Sequence, residues 1–290
     1  MSAALALSML SALCFGIALV TGRIGLRTLD ARSGAAISIP TATVLFVLAA
    51  PFAFDVEGFS VRAALFFGAV GLFFPALVTL LTFRSNEQLG PTTTAAVSCT
   101  APLFALLAAG LLLGERVPPQ AAVACVAVVV GVAILSWKQD AVRPGFKARL
   151  LLWPVAGAVV RGLAQAGAKA GLLLWPSPFA AGLIGYLVSS ATVIGANQAG
   201  RAKRPRLTKH GVAWFAVTGL LNGGAVHLMY GALNIAPVSL VTPVVATYPL
   251  VTALASALVL REEPVTLRMV AGATMTVLAI VYLVAARTGA

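Results

Sequence analysis

The chain runs through long apolar stretches separated by short polar breaks. Polar and apolar positions do not alternate within the stretches, so the pattern predicts helices rather than an outer-membrane barrel. Each stretch is about 20 residues long, which as helix matches a bilayer core of about 30 Å. Ten helices are predicted, at about 3–22, 34–53, 62–84, 91–113, 119–137, 150–173, 179–198, 211–233, 237–260 and 266–286.

The pattern occurs twice. Ala236–Glu262 reads APVSLVTPVVATYPLVTALASALVLRE, and Gly90–Glu115 reads GPTTTAAVSCTAPLFALLAAGLLLGE. Pro91 pairs with Pro237, 146 positions on, while Pro102 and Glu115 pair with Pro249 and Glu262, 147 positions on. Gly22-Arg23-Ile24-Gly25-Leu26 likewise matches Ala168-Lys169-Ala170-Gly171-Leu172. The chain is thus read as two five-helix repeats, 1–144 and 145–290, divided within the basic linker Lys138–Arg149. An odd number of spans per copy inverts the second copy relative to the first. The fold class is all-α integral membrane, with ten transmembrane helices in two inverted five-helix repeats.

Composition agrees. Of 290 residues, 60% are hydrophobic and 10% charged, and mean hydropathy is +0.99, too few charges to cover a soluble surface. A net charge of +12 would suggest nucleic acid in a soluble protein, but here the basic residues lie in the breaks and report orientation. Fifteen of the 20 Lys and Arg fall on the face that follows odd-numbered helices. Only Arg62, Arg116, Lys169 and Arg287 fall on the other. The positive-inside rule makes the first face cytoplasmic and both termini external, in a multi-pass protein of the cell's inner membrane. Trp137, Trp153, Trp175 and Trp214 all sit at predicted helix ends, as an aromatic belt would. Cys14, Cys99 and Cys125 lie inside apolar runs and read as small core residues. The first run has no basic segment before it and is taken as a span, not a cleaved signal.

The paired segments resemble the EamA-type repeats of the drug/metabolite transporter superfamily. The resemblance rests on the proline at each helix start and the mid-helix proline. It also rests on Leu113-Gly114-Glu115 followed by Gln120, and on Ala236-Pro237-Val238-Ser239, Tyr248-Pro249-Leu250 and Glu262. It implies a ten-helix carrier working by alternating access. The chain departs from that family in its charge-derived orientation, since members usually keep both termini in the cytoplasm. It also lacks an Arg near the start of the second helix, where Ile37-Ser38-Ile39-Pro40-Thr41 stands.

Arg161 is the one charge deep in a span, about eight residues past Trp153 and so roughly 12 Å into the membrane. An uncompensated charge there costs at least ~2.5–3.5 kcal/mol, so it should face a wet cavity or a partner. Gln165 and Lys169 follow on the same helix face. The stripe reads as the wall of a path for an anionic group, or as an Arg satisfied by helix-end carbonyls beside a snorkelling Lys169. His227, with Asn222 and Tyr230 nearby, is a candidate for proton coupling or for a simple bond to a carbonyl. All eight carboxylates lie near helix ends, which disfavours a carboxylate proton relay. Glu115 and Glu262 precede the fifth and tenth helices and read as structural caps.

Pro102 and Pro249 should kink the fourth and ninth helices, acting as gating points. Thr94, Ser98, Ser239, Thr242 and Tyr248 then line a central cavity, or else serve tight helix packing. Pro75, with Phe73 and Phe74, is a possible apolar wall. The basic run Arg201–Lys209 should bind lipid headgroups. No cofactor, metal site, nucleotide motif or catalytic pairing is evident, and monomer and homodimer are both open. The expected activity is secondary transport of a small amphipathic or anionic solute, amino acids included. The rival is a flippase component for a lipid-linked phosphate.

Overall fold

A computed structural model describes residues 2–136, 148–199, 207–260 and 267–288. Trp137, Glu262 and most of the two basic loops lie outside these residues. The helices are α1 Ser2–Gly25, α2 Ala31–Ala53, α3 Val61–Phe73, α4 Ala76–Leu89, α5 Pro91–Ser98, α6 Ala101–Leu113, α7 Pro119–Ser136, α8 Leu152–Leu174, α9 Pro178–Ala199, α10 Lys209–Ile235, α11 Val238–Val245, α12 Tyr248–Ala255 and α13 Leu267–Thr288. Eight helical segments are long and apolar enough to cross a bilayer, and two shorter apolar ones, Pro119–Ile134 and Ala271–Ala285, complete ten spans. Side-chain caps set several starts. Asp30 accepts from Ser33 N–H, Ser60 from Ala63 N–H, and Thr208 from Gly211 N–H.

Three spans expected to be continuous are broken. The third divides at Phe74, which is extended, as a residue before proline tends to be. The fourth and ninth are not merely kinked. Each ends, turns over two residues, and restarts with its proline in the first turn of a new helix, where the missing N–H costs nothing. The two breaks are copies of one another. Thr100 Oγ donates to Val97 O and Thr247 Oγ to Val244 O, both at 2.8 Å. The backbone bonds Cys99 N–H to Ala95 O and Ala246 N–H to Thr242 O match in the same way.

The packing carries the duplication into three dimensions. α1 lies along α10 as α8 lies along α3 and α4, and α2 packs on α10 as α9 packs on α3. α1 crosses α11 and α12 where α8 crosses α5 and α6. These swaps are those of a two-fold axis, with α2–α9 and α7–α13 as the self-related pairs. The crossings are closest at glycine. A Cβ on Gly16 would meet Tyr248 O at 2.8 Å, and one on its equivalent Gly162 would meet Ala101 O at 2.6 Å. Gly71 lies against Gly185 as Gly219 lies against Ser38. On the axis, Thr43 Oγ and its own repeat equivalent, Ser190 Oγ, are 2.8 Å or less apart, at 2.7 Å.

Candidate solute site between the repeats

Arg161, in the middle of α8, is 8% exposed. Its guanidinium carbon lies 5.3 Å from the ring centroid of Phe15 and 5.7 Å from that of Tyr248. Such cation–π contacts hold a charge at membrane depth without using its N–H donors. Arg161 Nε has no hydrogen-bond partner, and among the described residues no carboxylate pairs with the guanidinium. Phe15 is the residue that the duplication places opposite Arg161, so the contact is another residue facing its own copy across the axis.

Two adjoining cavities share Arg161, Phe15, Thr82, Phe83 and Asn222. One adds Phe74, Pro75, Val78, Thr79, Tyr186 and Val226; the other adds Ala18, Leu19, Ser98 and Tyr248. Their volumes are about 30 and 20 Å³, room for one or two waters each. In this conformation the centre is contracted. Among the described residues, Arg161 is the only charged side chain lining either cavity.

Both exits are blocked by packed side chains. Toward the basic face, Phe83 and Phe215 pack with centroids 5.2 Å apart, Thr21 Oγ and Thr218 Oγ are 2.8 Å apart, and Asn86 Nδ2 donates to Leu19 O. Toward the opposite face, Phe46 stacks on Tyr186 at 5.3 Å and packs against Phe179 at 5.5 Å. Above that layer a vestibule of about 590 Å³ opens, lined by Asp55, Glu57, Trp175, Phe179 and His227 among others. The His227 ring meets the edges of Phe46 and Phe179, and its Nδ1 has no partner. His227 therefore sits on the vestibule side of the aromatic layer, not in the central cavities.

Lys169, Arg23 and Glu115 brace helix ends instead of lining the cavity. Lys169 Nζ donates to Leu233 O at 2.6 Å and Ala236 O at 3.1 Å, satisfying carbonyls where α10 ends. Its repeat equivalent Arg23 does the same for Asn86 O and Glu87 O at the end of α4. Glu115 accepts from Val238 N–H at 3.1 Å and Ser239 N–H at 3.0 Å. It thus caps α11 of the other repeat, not the fifth helix that follows it in sequence.

Of the residues expected to line the cavity, Arg161, Asn222, Ser98 and Tyr248 do so. The others are placed elsewhere. Gln165 donates to Met229 Sδ at 3.3 Å, and Thr94 Oγ pairs with Ser85 Oγ at 2.9 Å. Thr242 Oγ returns to Val238 O, Ser239 lies at the Glu115 cap, and Tyr230 is 2% exposed in the core. Trp175 is not an interfacial belt residue. It is 1% exposed, packed by Phe54, Phe59 and Phe67, and donates to Glu57 O. Phe15, Phe83 and Tyr186 were not anticipated in the site. An aromatic in an apolar run looks like core, and only the repeat register singles out Phe15. Among the described residues no group of His, Cys, Asp and Glu could hold a metal ion.

No curated protein matches this chain. One solved crystal structure superposes over 100% of both chains with a TM-score of 0.77 at 15% identity, a likeness of fold. The EamA-like transporter family matches residues 2–137 and, a second time, residues 149–285, the two halves that pack around Arg161. The chain belongs to the EamA-like transporter family, and is a multi-pass membrane transporter of small solutes.

Proposed function

We propose that the protein is a secondary carrier whose repeats, residues 1–144 and 145–290, rock about the axis between them to expose the Arg161 cavity to each face in turn. The observation that supports this is one contracted centre between two distinct plugs, Phe83–Phe215 on one side and Phe46–Phe179–Tyr186 on the other. Separating either plug would admit solute from one face only. The solute is an amphipathic or anionic metabolite, because the single charge in the centre is a cation without a counter-ion. The basic face is cytoplasmic, so the vestibule at His227 faces outward.

Flipping of a lipid-linked phosphate is less well supported. The wide apolar groove of about 620 Å³ lies between α7 and α13, lined by residues such as Val123, Met275 and Tyr282, and none of its described lining residues is a cation. The test is counterflow of labelled solutes into sealed proteoliposomes, with Arg161→Ala alongside. Uptake requiring the protein and lost in the variant supports the reading. Uptake unchanged by Arg161→Ala removes Arg161 from the mechanism.

A further inference from the structure

The contracted cavity takes its charge and its amide from one repeat. Three pairs of equivalent residues line it: Phe15 with Arg161, Phe74 with Asn222, and Val78 with Val226. In the first two pairs the first repeat supplies the ring and the second the polar group. Tyr186 adds a third polar group from the second repeat, where its equivalent in the first is the aliphatic Ile39. The second repeat therefore offers a guanidinium, a phenol and a carboxamide, and the first offers Phe15, Phe74, Pro75 and Phe83 with the smaller hydroxyls of Thr79 and Thr82 beside them.

The polar groups are poised and unspent. Tyr186 is 1% exposed, and its hydroxyl has no hydrogen-bond partner. Arg161 Nε is equally unpartnered. Buried donors are rarely left so, and when they line one cavity a ligand is the natural acceptor. The Tyr186 backbone is fixed, because its carbonyl accepts from Thr43 Oγ at 3.0 Å beside the Thr43–Ser190 contact on the axis. Its ring is fixed by stacking on Phe46. A phenol anchored at both ends presents its O–H in one place.

We infer that Tyr186 and Arg161 together bind the carboxylate of a singly charged, apolar acid, with its body against the Phe15–Phe74–Phe83 wall. A planar carboxylate accepts from a guanidinium and a hydroxyl at once. One cation matches one negative charge. A dianion would leave a net charge buried between the plugs, and a cation would meet Arg161 with no carboxylate to offset it. Tyr186 also belongs to the aromatic plug facing the vestibule. Carboxylate binding at its hydroxyl is thus coupled to that plug's closure. This deepens the carrier reading and rests on it.

Purified protein in detergent is melted with phenylacetate, 3-methylbutanoate, phenylacetamide, 2-phenylethylamine and phenylmalonate. The two monocarboxylates should raise the melting temperature in a dose-dependent way, and the amide, amine and dianion should not. Tyr186→Phe, which keeps the ring packing, should weaken monocarboxylate binding about tenfold, and Arg161→Gln should abolish it. The inference is overturned if neither acid binds, if the amide, amine or dianion binds as well as the acids, or if Tyr186→Phe binds like wild type. The acid series in wild-type protein decides the matter even if Arg161→Gln fails to fold. Acids that bind but do not exchange in proteoliposomes would sink the carrier reading alone. Solute carried equally by both variants would sink this one alone.

Discussion

Gly71 and Gly219 make the duplication measurable. A Cβ built on Gly71 would lie 2.7 Å from Gly185 O and 2.9 Å from Gly185 Cα, and one on Gly219 would lie 2.9 Å from both Ser38 C and Ser38 Cα. The nearest obstacles, Gly185 O and Ser38 O, are backbone, so no rotamer change relieves them, and each pair of helices must separate by more than about half an ångström to restore ordinary contact, the Gly219 pair the most. Overpacking of this kind costs typically ~1–3 kcal/mol, against which alanine recovers up to ~1 kcal/mol of helix propensity. Gly71→Ala and Gly219→Ala should each lose about 1–2 kcal/mol, a fall of a few degrees in melting temperature. Gly224→Ala is the control. It lies in the same helix as Gly219 with nothing within 4 Å of its Cβ, and should melt at or slightly above wild type. The assay is thermal melting of purified protein in one detergent. If Gly71→Ala and Gly219→Ala melt with or above Gly224→Ala, the two crossings are not the matched close contacts described here.

Glu115→Ala leaves the Val238 and Ser239 N–H groups without their acceptor, and should cost about 1–2 kcal/mol in the same melt, with Glu115→Gln costing less because one oxygen remains. A double-mutant cycle on Thr43→Val and Ser190→Ala should give a coupling of roughly 0.6 kcal/mol, the usual worth of an interhelical hydrogen bond in a membrane; a coupling of zero would mean the axial contact is incidental. Single cysteines report the orientation. Glu57→Cys in a protein lacking Cys14, Cys99 and Cys125 should react with an impermeant maleimide in intact cells, and Arg27→Cys only after lysis; the reverse pattern inverts the proposed topology.

Continuous apolar runs were enough to place ten spans, because the bilayer demands length and hydrophobicity that nothing else in the chain competes with. It could not show that the third, fourth and ninth spans are broken. Whether a proline bends a helix or starts a new one depends on what satisfies the freed carbonyls, and Thr100 and Thr247 do that locally. Within the site, Arg161 was legible because its burial is costly anywhere but at a cavity. Lys169 shared its helix face yet ends on the carbonyls of Leu233 and Ala236. A one-helix projection cannot see a neighbouring helix that stops beside it. Thr94 and Thr242 carried hydroxyls at suggestive spacing, but a hydroxyl at membrane depth finds the nearest acceptor, here Ser85 and the Val238 carbonyl.

The duplication also explains why the site had to become asymmetric. A residue on a two-fold axis meets its own copy, so in a perfect repeat an Arg at position 161 would face a second Arg at position 15. Two buried guanidinium groups in contact would repel, and each would carry its own desolvation cost. A Phe at position 15 turns that clash into a cation–π contact at 5.3 Å and leaves Arg161 Nε without a hydrogen-bond partner. Asn222 opposite Phe74 follows the same division. The cation and the amide therefore stand on one repeat with rings at the equivalent positions of the other, while the scaffold residues, Gly16 with Gly162, Thr100 with Thr247 and Pro102 with Pro249, stay matched. Restoring the two-fold symmetry at this position tests this directly. Phe15→Arg should abolish solute binding and lower the melting temperature, whereas Phe15→Tyr should preserve both, because a phenol ring keeps the π face that Arg161 requires. If Phe15→Arg is as stable as wild type, the two positions do not meet at the axis and the division of labour between the repeats fails with them.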